Sequence, residues 1–141
     1  MKKVVKISIL LFGVFLLTGC FGTKKLTCTN KKEDSYGTIV AKITYTYKDD
    51  EITKVKYSVL STIKDKDTFN LLKKNYEKEN KNLNKIDGVT AKFKTAGTKL
   101  KLNVDVNMKK AEDNALSKAD IDKGNYETVK KKLEKQGFTC K

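Results

Sequence analysis

Polar and apolar residues alternate from Thr38 to Tyr47, with Ile39, Ala41, Ile43, Tyr45 and Tyr47 on the odd positions and mostly polar residues on the even ones. A period of two turns one face of a strand toward a core and the other toward water. The alternation resumes from Ile52 to Thr62 with Val55, Tyr57 and Val59, residue types that suit a pleated surface. Lys48-Asp49-Asp50-Glu51 separates the two runs as a turn, so they are expected to pair as an antiparallel hairpin. The period then changes. Phe69, Leu72, Tyr76 and Leu83 fall at helical spacing with Lys, Glu and Asn on the other face, and Asp65 or Asp67 can cap the first turn, which predicts a helix over Thr68–Asn84.

Period two returns after Asp87-Gly88 with Val89, Ala91 and Phe93, then a turn at Ala96-Gly97, then Leu100, Leu102, Val104, Val106 and Met108, a second hairpin. Lys109 to Gly124 is polar and weakly periodic and reads as loop with at most one helical turn. Asn125 caps a short helix that presents Tyr126, Val129 and Leu133 on one face. Lys130, Lys131, Lys132 and Lys135 near its carboxyl end complement the helix dipole, and Gly137 ends it as a left-handed cap. Ahead of all these, Leu26-Thr27-Cys28-Thr29 reads as a strand bounded by the polar run Asn30 to Ser35. The expected fold class is α+β: an antiparallel sheet built from two β-hairpins, each followed by a helix (ββαββα), with both helices on one face.

The first twenty residues carry a different signal. Lys2, Lys3 and Lys6 precede the apolar run Ile7 to Leu17, which is uncharged and shorter than the roughly 20 residues a spanning helix needs. Leu17-Thr18-Gly19-Cys20 closes the segment and resembles the lipobox of bacterial lipoproteins, in which the cysteine thiol takes a diacylglycerol before cleavage on its amino side. The expected organisation is a signal peptide at 1–19, a lipidated tether at 20–25 and a single α+β domain at 26–141. An uncleaved membrane anchor with a chance cysteine is the competing reading. Two acyl chains suffice for stable attachment, so lipid on Cys20 would hold the domain on the extracytoplasmic face of the cell membrane.

Cysteine count follows from that assignment. With Cys20 consumed by lipid, two thiols remain, Cys28 at the start of the domain and Cys140 at its end. In an exported protein an even remainder reads as a disulfide. A redox pair would be expected close together at a helix start, so separation by the whole domain favours a structural staple.

Charge adds a second theme. The chain carries a formal net charge of +14, all of its positive charge is Lys, and removing the three signal lysines leaves about +11. Lys is a flexible, hydrated point charge without the planar fork of Arg, which disfavours a specific anion clamp. Lys is also favoured by AT-rich genomes, so drift competes with function as the source of the surplus. If functional, its partners are an anionic lipid or an anionic wall polymer; an envelope protein is a further candidate partner, and the export signal argues against nucleic acid. The chain has no His, Trp or Pro. Without His the commonest general base and zinc ligand are missing, so an enzyme is disfavoured, and no catalytic residue, metal ligand or cofactor is assigned.

Two clusters are candidates for chemistry. Asp49-Asp50-Glu51, and Asp105 with Glu112-Asp113, could be calcium ligands or paired carboxylates, but the first fits a hairpin turn and no EF-hand spacing is present. Tyr36, Tyr45, Tyr47 and Tyr57 among lysines could stack sugars or bases, though their alternation with Ile and Val favours core packing.

The run Ile43-Thr44-Tyr45-Thr46-Tyr47-Lys48-Asp49-Asp50-Glu51-Ile52-Thr53-Lys54, then Lys85-Ile86-Asp87-Gly88-Val89, then Lys135-Gln136-Gly137-Phe138, resembles the YehR-like lipoproteins. These are small bacterial lipoproteins of unknown function with an α+β domain. The likeness spans Thr38 to Lys141, and the Cys28/Cys140 pair and the basic charge depart from it. It implies fold and location and carries no catalytic residue across. The expected function is therefore a non-enzymatic, lipid-anchored binding or interaction module at the cell envelope. Its rival is a small-ligand binding protein with a pocket between sheet and helices.

Overall fold

The computed structural model describes residues 22–111 and 121–141. The expected signal peptide, Cys20, Glu112 and Asp113 lie outside the described residues. Six strands and two helices follow in the order β1 (Lys24–Asp34), β2 (Gly37–Lys48), β3 (Glu51–Ile63), α1 (Lys66–Leu83), β4 (Val89–Ala96), β5 (Lys99–Asn107), α2 (Tyr126–Lys135) and β6 (Thr139–Cys140). They form one antiparallel sheet in the order β4-β5-β3-β2-β1-β6.

This corrects the expected ββαββα pattern. Three strands, not two, precede the first helix, and a sixth strand follows the second. β1 pairs with β2 along its whole length, from Lys24 opposite Tyr47 to Asp34 opposite Gly37. The polar run Asn30 to Asp34, read from sequence as a boundary, is strand because its backbone finds partners on β2. Its charged side chains stay in water, as suits a strand near a sheet edge. β1 also begins at Lys24, so the last two residues of the expected tether belong to the sheet.

The β2–β3 turn explains the acidic cluster. Lys48 pairs with Glu51 across a two-residue loop in which Asp49 and Asp50 have φ of 52° and 61°. Positive φ at both central residues is the type I′ geometry whose twist matches the flanking strands, and Asp tolerates it better than most residues. One bulge interrupts the ladder, where Thr53 stands unpaired between Ile52 and Lys54 and its hydroxyl donates to the Thr46 carbonyl.

One face of the sheet carries the core. Leu26, Cys28, Ile43, Tyr45, Tyr47, Val55, Ala91, Leu102, Val104 and Val106 pack there against Leu83 of α1 and Val129 and Leu133 of α2. Asp65 caps α1 by accepting the Thr68 N–H at 2.7 Å, and Asn125 caps α2 by accepting the Thr128 N–H at 3.0 Å. At the other end of α2, Gly137 at φ 88° lets the Gly137 and Phe138 N–H groups return to Glu134 and Leu133, a Schellman closure that feeds the chain into β6.

Cys28 and Cys140 are joined by a disulfide, with Cα atoms 4.0 Å apart. Thr27 and Lys141 exchange both backbone hydrogen bonds beside it, so the cysteines occupy the close, non-hydrogen-bonded position of the ladder. At the opposite edge, Asn84 closes β4. Its Nδ2 donates to the Ala91 carbonyl at 2.9 Å while its Oδ1 accepts the Ala91 N–H at 2.8 Å, so one side chain stands in for a neighbouring strand.

Candidate functional site

Because α1 and α2 share one face of the sheet with the core, the alternate residues of every long strand fall on the opposite face, which is helix-free among the described residues. Register assembles that face in rows. Lys25, Thr46, Lys54 and Asn107 form the row nearest the start of β1. Thr27, Thr44, Lys56, Asp105 and Thr90 form the next, followed by Thr29, Lys42, Ser58, Asn103 and Lys92. Lys31, Val40, Leu60, Lys101 and Lys94, then Glu33, Thr38, Thr62, Lys99 and Ala96, complete it.

These rows contain nine lysines and two acids, a surplus of seven charges against about eleven for the chain after the signal lysines. Asp105 is shared, at 3.3 Å from Lys54 and 3.8 Å from Lys56, and Glu33 pairs with Lys31 at 3.0 Å. Among the described residues no acid lies within ion-pair distance of Lys42, Lys92, Lys94, Lys99 or Lys101. Lys94 and Lys101 stand directly opposite each other. Like charges in that position oppose folding, so the arrangement carries a cost that packing does not require. Val40 and Leu60, also directly paired, place a half-buried apolar spot among the lysines.

The other face holds a groove of about 340 Å³ between sheet and helices. Its floor is apolar, from Ile43, Val55, Leu102 and Val104, and its rim carries Glu79, Gln136 and the Lys132–Asp122 ion pair. Tyr45 and Tyr57 line it and both take part in further interactions.

The tyrosines do not form a platform. Tyr45 and Tyr47 are each 1% exposed, Tyr57 is half-buried, and Tyr36 stands apart as an exposed residue in the β1–β2 turn. Tyr47 and Tyr126 instead meet edge to face at 5.7 Å. Asp49, Asp50 and Glu51 lie in and beside the hairpin turn, while Asp105 sits on the helix-free face with Lys54 and Lys56. Among the described residues no three of His, Cys, Asp and Glu converge as a metal site.

The number of lysines alone does not show that they converge on one face. The signal was available in the polar phase of the strands: Lys54 and Lys56 interleave with Val55 and Tyr57, Lys92 and Lys94 with Phe93, and Lys99 and Lys101 with Leu100 and Leu102. Strand order was the missing step, because alternation alone does not say which faces become neighbours.

No family model and no curated protein matches the chain. Among solved structures, the chain is similar to one described as the NMR structure of the protein from Streptococcus pneumoniae TIGR4. The TM-score is 0.59 at 15% identity, with 85% of this chain and 86% of that chain covered. The likeness is one of fold.

Proposed function

We propose that this chain is a lipid-anchored, non-enzymatic binding module on the extracytoplasmic face of the cell membrane, and that it binds an anionic partner at the cell envelope through the helix-free face of its sheet. The observation that carries this reading is the placement of charge: seven of about eleven surplus positive charges fall on one face. The two helices also carry nine lysines, but five acids accompany them, whereas only two acids accompany the nine lysines of the face. Each lysine near an anionic surface contributes about 1 kcal/mol, so even part of this face suffices for salt-sensitive attachment. Anchoring through Cys20 and likeness to the YehR-like lipoproteins belong to the same proposal and rest on the sequence strings that carry them. The complete lack of His supports the non-enzymatic part.

The test has two measurements. Labelled palmitate enters the wild-type protein and not Cys20→Ala; label in both, or in neither, overturns the anchor. Binding to an anionic partner weakens steeply with added salt; salt-insensitive binding overturns the electrostatic face. The second reading, a small-ligand pocket, is favoured by the apolar floor of the groove between sheet and helices. Salt-insensitive thermal stabilisation by one small molecule would support it.

A further inference from the structure

We infer that the anionic partner is the phospholipid bilayer itself, and that the domain lies on it with the helix-free face of the sheet flat against the headgroups. This rests on the reading of that face as the binding surface.

Three observations converge on a planar partner. The lysines are dispersed over all five long strands, from Lys31 on β1 through Lys42 and Lys56 to Lys101 and Lys92 on β5 and β4. Five strands at about 4.8 Å spacing, with successive same-face residues about 6.8 Å apart, make a field roughly 20 Å by 27 Å. A linear polymer needs a track of charge, whereas a field this broad matches a sheet of headgroups. The second observation is the apolar pair Val40 and Leu60 inside the field. Apolar side chains ringed by lysine suit the boundary between headgroups and acyl chains and have no counterpart on a polyphosphate strand.

The third is the position of the attachment point. β1 starts at Lys24, four residues after Cys20, so the intervening chain spans at most about 14 Å. Lys25 and Lys54 lie in the row of the face nearest that point. A domain anchored there and lying flat brings every row within reach of the surface potential, which falls off within about 8 Å at physiological salt.

The experiment uses the lipidated protein reconstituted into vesicles of phosphatidylcholine alone or with 30% phosphatidylglycerol (about 30% by mole, a composition of ordinary anionic strength), probed with an amine-acylating reagent and peptide mass spectrometry. Lys42, Lys56, Lys92 and Lys101 are expected to react about fivefold more slowly, relative to Lys74, Lys78 and Lys81 of α1, in the anionic vesicles, the factor that one lysine's attraction corresponds to. The protection is absent on phosphatidylcholine and disappears in high salt. The triple variant K42Q/K56Q/K92Q abolishes the protection of Lys101, whereas K74Q/K78Q/K81Q, which loses the same charge, retains it. Equal labelling of the two lysine sets in both vesicle types overturns the inference. Protection by soluble poly(glycerol phosphate) but not by anionic vesicles also overturns it and assigns the face to a polymer. Failure to partition onto neutral vesicles, with salt-sensitive binding to anionic ones, overturns the anchor at Cys20 and supports the face.

Discussion

The hydroxyls of Ser61 and Tyr76 meet at 2.9 Å across the interface between β3 and α1. Ser61 is the one polar side chain among the described residues that is fully enclosed on the core face, at 0% exposure, and Tyr76 reaches it from a ring packed edge-on against Phe93. Each hydroxyl would be costly to bury alone. Removing one partner leaves the other without a hydrogen bond at a cost of about 1–3 kcal/mol, whereas removing both can be nearly neutral. Ser61→Ala and Tyr76→Phe are therefore each expected to destabilise, and the double variant to cost clearly less than their sum. Urea unfolding of the four proteins checks this, and additivity within about 0.3 kcal/mol would refute the coupling.

Asn84 ends α1 and seals β4 with the same side chain. Beyond its two bonds to Ala91, its Nδ2 donates to the Asn80 carbonyl at 2.9 Å. Asn84→Ala is expected to cost about 3 kcal/mol, given three hydrogen bonds at roughly 1 kcal/mol net each, and to leave the Ala91 N–H on an open edge. Amide exchange localises the effect: Ala91 should exchange much faster in the variant while the β2–β3 amides change only with global stability. Unchanged protection at Ala91 would show that the edge is closed by something else.

Much of the local structure was legible because it depends on short-range patterns. Tyr45, Tyr47, Val55, Leu102, Val104 and Val106, all placed on the apolar phase of strands by alternation, are buried. Asp65 and Asn125, both read as caps, accept the N–H three residues on. What alternation could not supply was partnership. Asn30 to Asp34 has no apolar phase, and it is a strand because β2 offers it a ladder of backbone partners. β6 is two residues long and has no pattern at all; the disulfide and the turn after Gly137 hold it against β1. The basic face is invisible for the same reason, since its rows run across strands distant in sequence. Lys42, Lys56 and Lys92 lie within three strands of one another although fifty residues of chain separate the first from the last.

Gly37 marks where β2 leaves its turn. At φ 157° its α-carbon sits against β3, and a side-chain carbon there would collide with the Thr62 carbonyl oxygen. The obstacle is backbone and cannot rotate away. Gly37→Ala is expected to destabilise the protein by several kcal/mol, about the range reserved for backbone conflicts in a packed core, and to loosen the pairing of Gly37 with Asp34 and Ile63. Gly97→Ala is the useful contrast, because no atom lies within 4 Å of a side-chain carbon there and its cost is limited to a φ of 56°. Chemical denaturation of both should rank Gly37→Ala as the more damaging; the reverse order would contradict the packing.

The Cys28–Cys140 disulfide closes a span of 112 residues. In the chain-entropy account a loop of that size contributes up to about 4.7 kcal/mol by restricting the unfolded chain. Reduction is expected to raise the mass by about 2 Da, as two thiols replace one bond, and to lower the urea midpoint. It should release β6 first, because two residues make its ladder to β1. Exchange at the Thr27 and Lys141 amides, which bond each other's carbonyls, should therefore rise before exchange in β2. A reduced protein with the midpoint of the oxidised one would mean that β6 is held by its hydrogen bonds alone.

Burial of Tyr47 couples stability to pH in the alkaline range. Its ring is 1% exposed, its hydroxyl has no hydrogen-bond partner among the described residues, and burial, with a smaller contribution from the neighbouring Tyr126, pushes its pKa from 10.0 up to about 12. The raised value means that the folded state holds the phenol proton more tightly than the unfolded chain does. Stability from this group is therefore complete below pH 10 and declines as pH rises from about 10 to about 12, where the unfolded chain ionises and the folded one does not. Two pKa units bound the loss at about 2.7 kcal/mol, and any water reaching the hydroxyl reduces it. Tyr47→Phe removes both the titration and the unpaired hydroxyl, so it should match or exceed the wild type at pH 7. The two proteins differ only at this hydroxyl, so the difference between them isolates Tyr47. Urea midpoints should diverge in favour of Tyr47→Phe between pH 9.5 and 11 (about half a unit below to one unit above the ordinary phenol value), and parallel curves would show that the phenol meets the same environment folded and unfolded.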